Sequence, residues 1–217
     1  MFQQLPNTQP RLADEVYRQV FSAILSGHIE PGERIVQEKI AAEINVSRTP
    51  VREALLRLEQ EGILEIASRS GFRIRKITDA EVRQIYQARE AVEGYSARIM
   101  AESGTPTQHN AIETVIAQEQ QSQPDGIEDF FRANKRIHRT IVEQTDNRHL
   151  LEMFDSLWNR GISFRLFAAI SNVDLAESLG EHQVLVDTIR VGSPEAAEAA
   201  MVAHIRDGLD LQLEALI

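Results

Sequence analysis

The stretch between Ser47 and Gly62 constrains the fold more than any other part of this chain, because it predicts a helix with both ends defined. Ser47 is of the type that caps helix N-termini, and Pro50 falls in the first turn, where backbone N–H groups lack helical acceptors. Apolar residues recur along it at helical spacing: Val51, Ala54, Leu55 and Leu58. The sequence therefore predicts a helix over residues 48–61. Three polar side chains lie at its leading end, away from the buried stripe: Arg48, Thr49 and Arg52.

Two helices are predicted ahead of this one and a hairpin after it. Apolar spacing indicates helices over residues 12–26 and 35–44, separated by a turn signal. Residues 63–67 and 72–77 are strand candidates, and the polar loop between them ends at Gly71, a residue able to take positive φ. Three helices and a two-stranded wing make a winged helix-turn-helix, in which the helix after the turn enters the major groove of DNA.

The arginines of this region have the chemistry of DNA contacts. Arg48 and Arg52 are four residues apart and share one helix face, and a guanidinium can donate two hydrogen bonds to guanine O6 and N7. Arg73 and Arg75 alternate with apolar residues in the second wing strand, so they are expected on its solvent side. There they serve either as phosphate contacts or as an ordinary solvated face.

A run of ten residues and several outlying ones form a longer motif: Pro31-Gly32, Val46-Ser-Arg-Thr-Pro-Val-Arg-Glu-Ala-Leu55, Leu58, Glu61-Gly62 and Gly71. This motif closely resembles the GntR family of bacterial transcription regulators. The resemblance implies that Arg48 and Arg52 read bases. It also implies that Ser47 and Thr49 help to anchor phosphates and that Gly71 lets the wing tip approach the minor groove.

The second helix departs from the family pattern. Many relatives carry an arginine at the position where this chain has Glu38, and the basic residue here is its neighbour, Lys39. Lys39 is therefore a candidate DNA contact beside the arginines of the third helix.

The charge and composition of the chain point to two parts with different partners. Of the 217 residues, those up to Ile77 carry a net charge of +1, and the remainder carries −11. An acidic rear part repels DNA, so contact is expected on the front part. The absence of cysteine excludes disulfides, thiolate metal sites and cysteine nucleophiles. With neither a signal-peptide pattern nor an apolar run of about 20 residues, the protein is expected in the cytoplasm, away from membranes.

The rear part is predicted to be entirely helical. A capping box at Thr78 and Glu81 marks the boundary, which gives a flexible tail over residues 1–10, a DNA-binding domain over 11–77 and a helical domain over 78–217. Six helices are expected, the second opened by a box at Thr105 and Gln108: residues 79–102, 106–121, 127–144, 147–170, 175–191 and 194–216. The fold class is thus mainly α, a winged helix-turn-helix followed by a six-helix bundle.

The all-helical rear and the pattern Tyr86-x-x-Arg89-x-x-x-Glu93 resemble the FCD ligand-binding domain of the FadR branch of GntR regulators. Six helices favour the VanR subgroup. The resemblance implies a homodimer, and it implies that Arg89 meets the carboxylate of a small organic acid. A structural ion pair between Arg89 and Glu93 is the alternative.

Many FCD domains bind a metal through an Asp-x-x-x-His pair and two later histidines. The same spacing here gives Asn134, His138, His182 and His204. Three imidazoles suit zinc, nickel or a similar divalent ion, with a position left for water or an effector carboxylate. The amide oxygen of Asn134 is a poorer ligand than a carboxylate, so weaker metal binding is expected. Each histidine taken alone is explained as well by an ordinary hydrogen-bonded role.

These features favour a homodimeric transcription regulator that binds an inverted-repeat operator in double-stranded DNA. It is expected to respond to a small organic acid, and repression is the preferred direction of regulation. A metal-free sensor of the same architecture, in which Asn134 and the histidines bind the ligand directly, is the first alternative. The second is a helical metallohydrolase using the same histidines. Against an enzyme stand the lack of a His-Glu-x-x-His pattern and of a Gly-rich phosphate loop.

Overall fold

The computed structural model describes residues 12–29, 32–67, 71–122, 126–159, 163, 175–191 and 193–214, with the backbone alone at 175–177. The chain divides into two compact units, Met1–Lys76 and Ile77–Ile217. Of the helices described, none is long and apolar enough to cross a membrane.

The first unit packs three helices against a small antiparallel sheet. The helices are α1 (Leu12–Leu25), α2 (Gln37–Glu43) and α3 (Arg48–Gln60), and the strands are β1 (Arg34–Ile35), β2 (Leu64–Ala67) and β3 (Gly71–Ile74), in the order β1-β3-β2. The inner faces of α1 and α3 supply most of the core: Val16, Val20, Ile24, Val51, Ala54, Leu55 and Leu58. Gly62 follows α3 at φ 77°, a left-handed conformation that glycine adopts without strain. The predicted winged helix-turn-helix is confirmed.

Strand β1 was not predicted from the sequence, which placed the second helix from Ile35. In the structure Ile35 pairs with Phe72 of β3 and is buried at 4% exposure, and α2 begins only at Gln37. Pairing with β3 satisfies backbone groups that would otherwise form an open sheet edge. The wing is therefore part of a three-stranded sheet and not an isolated hairpin.

Gly71 corrects a second expectation. It does not adopt positive φ but begins β3, buried and opposite Ala67. A Cβ built on it would lie 2.7 Å from Arg34 Nε and 3.3 Å from the carbonyl oxygen of Ile35. Glycine is thus favoured here because β1 lies close to this position, and a larger residue would displace the Arg34 side chain. The loop before it, residues 68–70, lies outside the described residues.

In the second unit, all the secondary-structure elements of the described residues are helices. Its helices are α4 (Asp79–Arg89), a π-helical turn (Glu90–Gly94), α5 (Tyr95–Ser103), α6 (Pro106–Ser122), α7 (Ile127–Glu143), α8 (Arg148–Trp158), α9 (Leu175–Arg190) and α10 (Pro194–Glu214). Of the predicted fourth helix, residues 160–162 and 164–170 lie outside the described part. The inward faces form one apolar core, which includes Ile112, Ile116, Ile137, Ile141, Met201 and Ile205.

Both predicted capping boxes lie at helix starts. Thr78 Oγ1 accepts a hydrogen bond from the Glu81 backbone N–H at 3.3 Å. At α6 the box is reciprocal, because Thr105 Oγ1 accepts from the Gln108 N–H at 3.3 Å while Gln108 Oε1 accepts from the Thr105 N–H at 2.9 Å.

The π-helical turn interrupts what the sequence predicted as one regular helix over residues 79–102. It buries three successive residues, Val92, Glu93 and Gly94, which a regular helix of 3.6 residues per turn rarely places on one stripe. A Cβ on Gly94 would lie 3.0 Å from Val202 Cγ2 of α10, so the glycine lets α10 pack closely on the turn. The widened turn carries Glu93 into the interior of the unit.

Candidate DNA-reading surface and histidine cluster

The leading end of α3 forms one wall of a concave surface of about 470 Å³ on the first unit. Arg48, Thr49 and Arg52 are exposed there, while the apolar side of α3 is buried in the core. The other lining residues come from α2, α3 and the sheet: Gln37, Leu56, Ile66, Gly71 and Phe72. The structure thus brings the predicted base readers and the wing glycine to one surface. Lys39 is exposed on α2 but does not line it.

Ser47 occupies the N-cap position of α3 with the extended backbone of a cap, at φ −68° and ψ 162°. Its side chain makes no capping hydrogen bond, contrary to the expectation from the sequence. The hydroxyl therefore remains available, beside the unpaired N–H groups of the helix start.

Two of the candidate arginines are paired with carboxylates on neighbouring elements. Arg48 Nη2 lies 2.8 Å from Glu38 Oε1 of α2. Arg73 pairs across the sheet with Glu65, the residue directly opposite it on β2. Both pairs are exposed, so either arginine can exchange its partner for a phosphate or a base at small free-energy cost.

Three of the four predicted metal ligands meet inside the second unit. His138 of α7, His182 of α9 and His204 of α10 place one ring nitrogen each within 4.8 Å of the others. The Nε2 atoms of His138 and His182 are 3.2 Å apart. Zinc held at tetrahedral angles by bonds of about 2.05 Å separates its ligand nitrogens by about 3.3 Å. Asn134 is buried one turn before His138 on α7.

The Nδ1 atoms of His182 and His138 each face an oxygen atom outside the cluster. His182 Nδ1 lies 3.1 Å from the Ser178 carbonyl oxygen and 3.3 Å from that of Leu179, and carbonyls only accept, so Nδ1 carries the proton. His138 Nδ1 lies 2.6 Å from Glu93 Oε2, without the alignment of a regular hydrogen bond. The Nε2 atoms of His138 and His182 are 3.2 Å apart, a separation that suits two nitrogens that share a proton or bind one metal ion. The donor set fits a divalent metal.

Burial keeps two of the imidazoles uncharged at neutral pH. It lowers the pKa of His182 to about 3, and the nearby His138 acts in the same direction. Burial likewise lowers the pKa of His204 to about 2, again with His138 adding to the effect. Because metal ligation requires the neutral imidazole, protons compete weakly at these two positions.

Glu93 lies between His138 and two further side chains, Arg89 and Trp158. The carboxylate is buried and accepts hydrogen bonds from Arg89 Nε at 2.8 Å and from Trp158 Nε1 at 3.0 Å. Burial alone raises the pKa of Glu93, but the charge of Arg89 and then that of His138 outweigh it and hold the pKa well below its usual range. The group is therefore an anion that orients His138.

Arg89 forms the ion pair with Glu93 that the sequence left as one of two alternatives. Its guanidinium also lies 4.3 Å from the Trp158 ring and 4.9 Å from the Tyr86 ring. Burial lowers the pKa of Arg89, yet the charge of Glu93 more than compensates and the net pKa is raised. Arg89 is thus a fixed positive charge behind the histidine cluster.

Sequence reasoning missed the part that Glu93 and Trp158 play. Trp158 was not among the site residues predicted from the sequence, but its ring centroid is 5.6 Å from that of His138, and its N–H donates to Glu93. Glu93 was noted only as a partner for Arg89. The one signal in the sequence was the four-residue spacing from Arg89, and a regular helix gives no reason to bury that carboxylate.

Comparisons with known proteins agree with both halves of the structure. Residues 12–74 match the family of bacterial regulatory proteins described as the gntR family, and residues 84–207, more than half of the chain, match the FCD domain. Both resemblances seen in the sequence are thereby confirmed.

Relatives and solved structures extend over nearly the whole chain. An uncharacterized HTH-type transcriptional regulator, YdhC of Bacillus subtilis, is 29% identical over 88% of this chain and 86% of its own. A probable D-xylose utilization operon transcriptional repressor of Paenarthrobacter nicotinovorans is 27% identical over 91% and 87%. The structure of E. coli McbR/YncC has the same fold, with a TM-score of 0.66 at 22% identity over 95% and 99%. The chain belongs to the GntR family of bacterial regulatory proteins and combines its helix-turn-helix with an FCD domain.

Proposed function

We propose that this protein is a sequence-specific, DNA-binding transcription regulator whose second unit binds a divalent metal and, beside it, a small organic acid that changes operator binding. The observation that carries the proposal is that one chain contains both a DNA-reading surface and a histidine cluster. An exposed helix end presents Arg48 and Arg52, and a buried cluster joins three imidazoles.

The DNA-binding half of the proposal assigns a role to each candidate DNA-contacting side chain. Arg48 and Arg52 read guanines in the major groove, and Ser47 and Thr49 bind phosphates at the helix start. Lys39 and Arg73 contribute phosphate contacts at the edges of the surface. Two copies of the chain place two such helices on an inverted repeat, as a homodimer.

The sensing half rests on the histidine cluster. His138, His182 and His204 would hold the metal, with the amide oxygen of Asn134 as a further ligand. Zinc and nickel both suit three imidazoles, and the bound ion would supply a positive charge that attracts an effector carboxylate. Arg89 adds a second, permanent positive charge behind Glu93. When α4, the π-helical turn and α5 are counted as one interrupted helix, the described part of the unit has six helices, which supports the VanR subgroup.

The test uses the full-length protein, purified without a histidine tag or chelator. We expect about one zinc or nickel per chain by elemental analysis and enrichment of an inverted repeat when random DNA is selected on the protein. Absence of any enriched sequence contradicts the DNA-binding role. A metal content near zero, with organic-acid binding retained, favours the metal-free sensor instead.

Replacing Glu93 with glutamine is expected to weaken metal binding about 10- to 100-fold, because the partner that orients His138 loses its charge. Metal affinity is measured by competition with a chromophoric chelator. Glu90→Gln is the matched control, since Glu90 lies three residues earlier and pairs on the outer side with Arg206 at 3.1 Å. A thermal melt of each variant separates loss of the ligand set from loss of folding. Equal affinities for the two variants would contradict the assignment.

A further inference from the structure

The contact between Glu38 and Arg48 places a carboxylate at the DNA-reading surface. Glu38 Oε1 lies 2.8 Å from Arg48 Nη2, and the side chains of Glu38 and Arg48 are 55% and 67% exposed. The pair joins α2 to the leading end of α3. It therefore lies where the proposed function brings base edges closest to the protein.

Neither stability nor affinity for the DNA backbone accounts for this carboxylate. An exposed ion pair contributes little to folding, because water screens the charges and the side chains lose rotamer freedom. A negative charge beside the phosphates also opposes the attraction that dominates nonspecific DNA binding. What a carboxylate offers at a base edge is selectivity, since it only accepts hydrogen bonds.

We propose that Glu38 is a specificity-determining residue that selects cytosine next to the guanine read by Arg48. One carboxylate oxygen holds Arg48 Nη2 and restricts the guanidinium, while the other accepts a hydrogen bond from the N4 amino group of cytosine in the major groove. The proposal rests on the DNA-binding function proposed above and assigns one further base of the operator to a residue of this chain.

The hydrogen-bonding capacities of the groups match this arrangement. A guanidinium has five N–H donors, so Arg48 can give one to Glu38 and still donate two to guanine O6 and N7. A carboxylate disfavours thymine, whose O4 is an acceptor, and guanine, whose O6 and N7 are acceptors; it disfavours adenine less strongly, because the N7 acceptor of adenine lies beside its N6 donor. Glu38 thus disfavours the other bases at the neighbouring position and also binds cytosine there.

The experiment selects half-sites from random DNA on the full-length protein and on Glu38→Gln, then measures affinity for sites that differ at the one position. We expect the wild type to favour cytosine there about tenfold. Glutamine both donates and accepts and can pair with adenine N6 and N7, so Glu38→Gln should lose the cytosine preference and shift towards adenine. Preferences elsewhere in the half-site should persist.

Glu43→Gln is the control, because it removes the same charge from an exposed position at the far end of α2. It should raise affinity for all sequences slightly and leave base preference unchanged. If Glu38→Gln behaves like Glu43→Gln, the specificity role of Glu38 is wrong while the DNA-binding function stands. If the wild type enriches no sequence, the DNA-binding function itself has failed.

Discussion

Replacing Arg48 and Arg52 together with alanine is expected to lower operator affinity roughly 30- to 20,000-fold, because each good base contact is worth about 1 to 3 kcal/mol. The fold should persist, since both side chains are exposed and the buried face of α3 is untouched. Fluorescence anisotropy with the selected operator and with scrambled DNA, over a range of salt concentrations, measures the effect.

The matched control for this double variant is Arg18→Ala. Arg18 lies on α1, is 61% exposed on its side chain and pairs with Glu15. Arg18→Ala should change operator affinity much less than Arg48→Ala or Arg52→Ala does. Specific affinity should fall more than nonspecific affinity, because base contacts carry the sequence information. Unchanged discrimination between operator and scrambled DNA would exclude base reading by α3.

Replacing His182 with alanine is expected to abolish stoichiometric metal binding, with affinity falling by at least about 100-fold. Changes in the second layer of a metal site already cost 10- to 100-fold, and this change removes a ligand. Trp158 is the only tryptophan of the chain, and its ring centroid lies 5.6 Å from that of His138, so quenching of its fluorescence by Ni²⁺ reports on the site directly. The wild type should show saturable quenching, which the variant loses.

A second measurement on the same proteins uses thermodynamic linkage. Metal at 100 times its dissociation constant stabilises a folded protein by about 2.7 kcal/mol, so the wild type should melt at a higher temperature when metal is added and His182→Ala should not. His149→Ala is the control, because His149 is exposed on α8 and lies outside the cluster. A metal-induced shift retained by His182→Ala would show that the ion binds elsewhere.

The first unit was predictable from sequence because its signals are local. The apolar spacing of α3 and the left-handed Gly62 after it need only neighbouring residues to take effect. Strand β1 escaped prediction because two residues carry no periodicity, and only the pairing of Ile35 with Phe72 defines it. Gly71 was assigned a turn conformation for the same reason, since its neighbour Arg34 is 37 residues away in sequence.

In the second unit too, local signals could be predicted from the sequence and contacts between distant residues could not. The spacing of the histidines pointed to the cluster, and the capping residues located the starts of α4 and α6. The π-helical turn has no signal in the local sequence, and Gly94 within it packs closely against Val202, which lies more than 100 residues later. Without that turn, the burial of Glu93 and its contact with Trp158 had no visible cause. Tertiary packing, not helix propensity, decided this part of the site.

The π-helical turn also has a mechanical consequence. Helix α4 begins beside the boundary between the two units and continues into the turn that holds Glu93 against His138. Eleven residues of α-helix form a stiff rod roughly 16 Å long. Thr78, which caps α4 at the start of the second unit, and Glu93, which lies beside His138, are therefore joined by one continuous stretch of helical backbone.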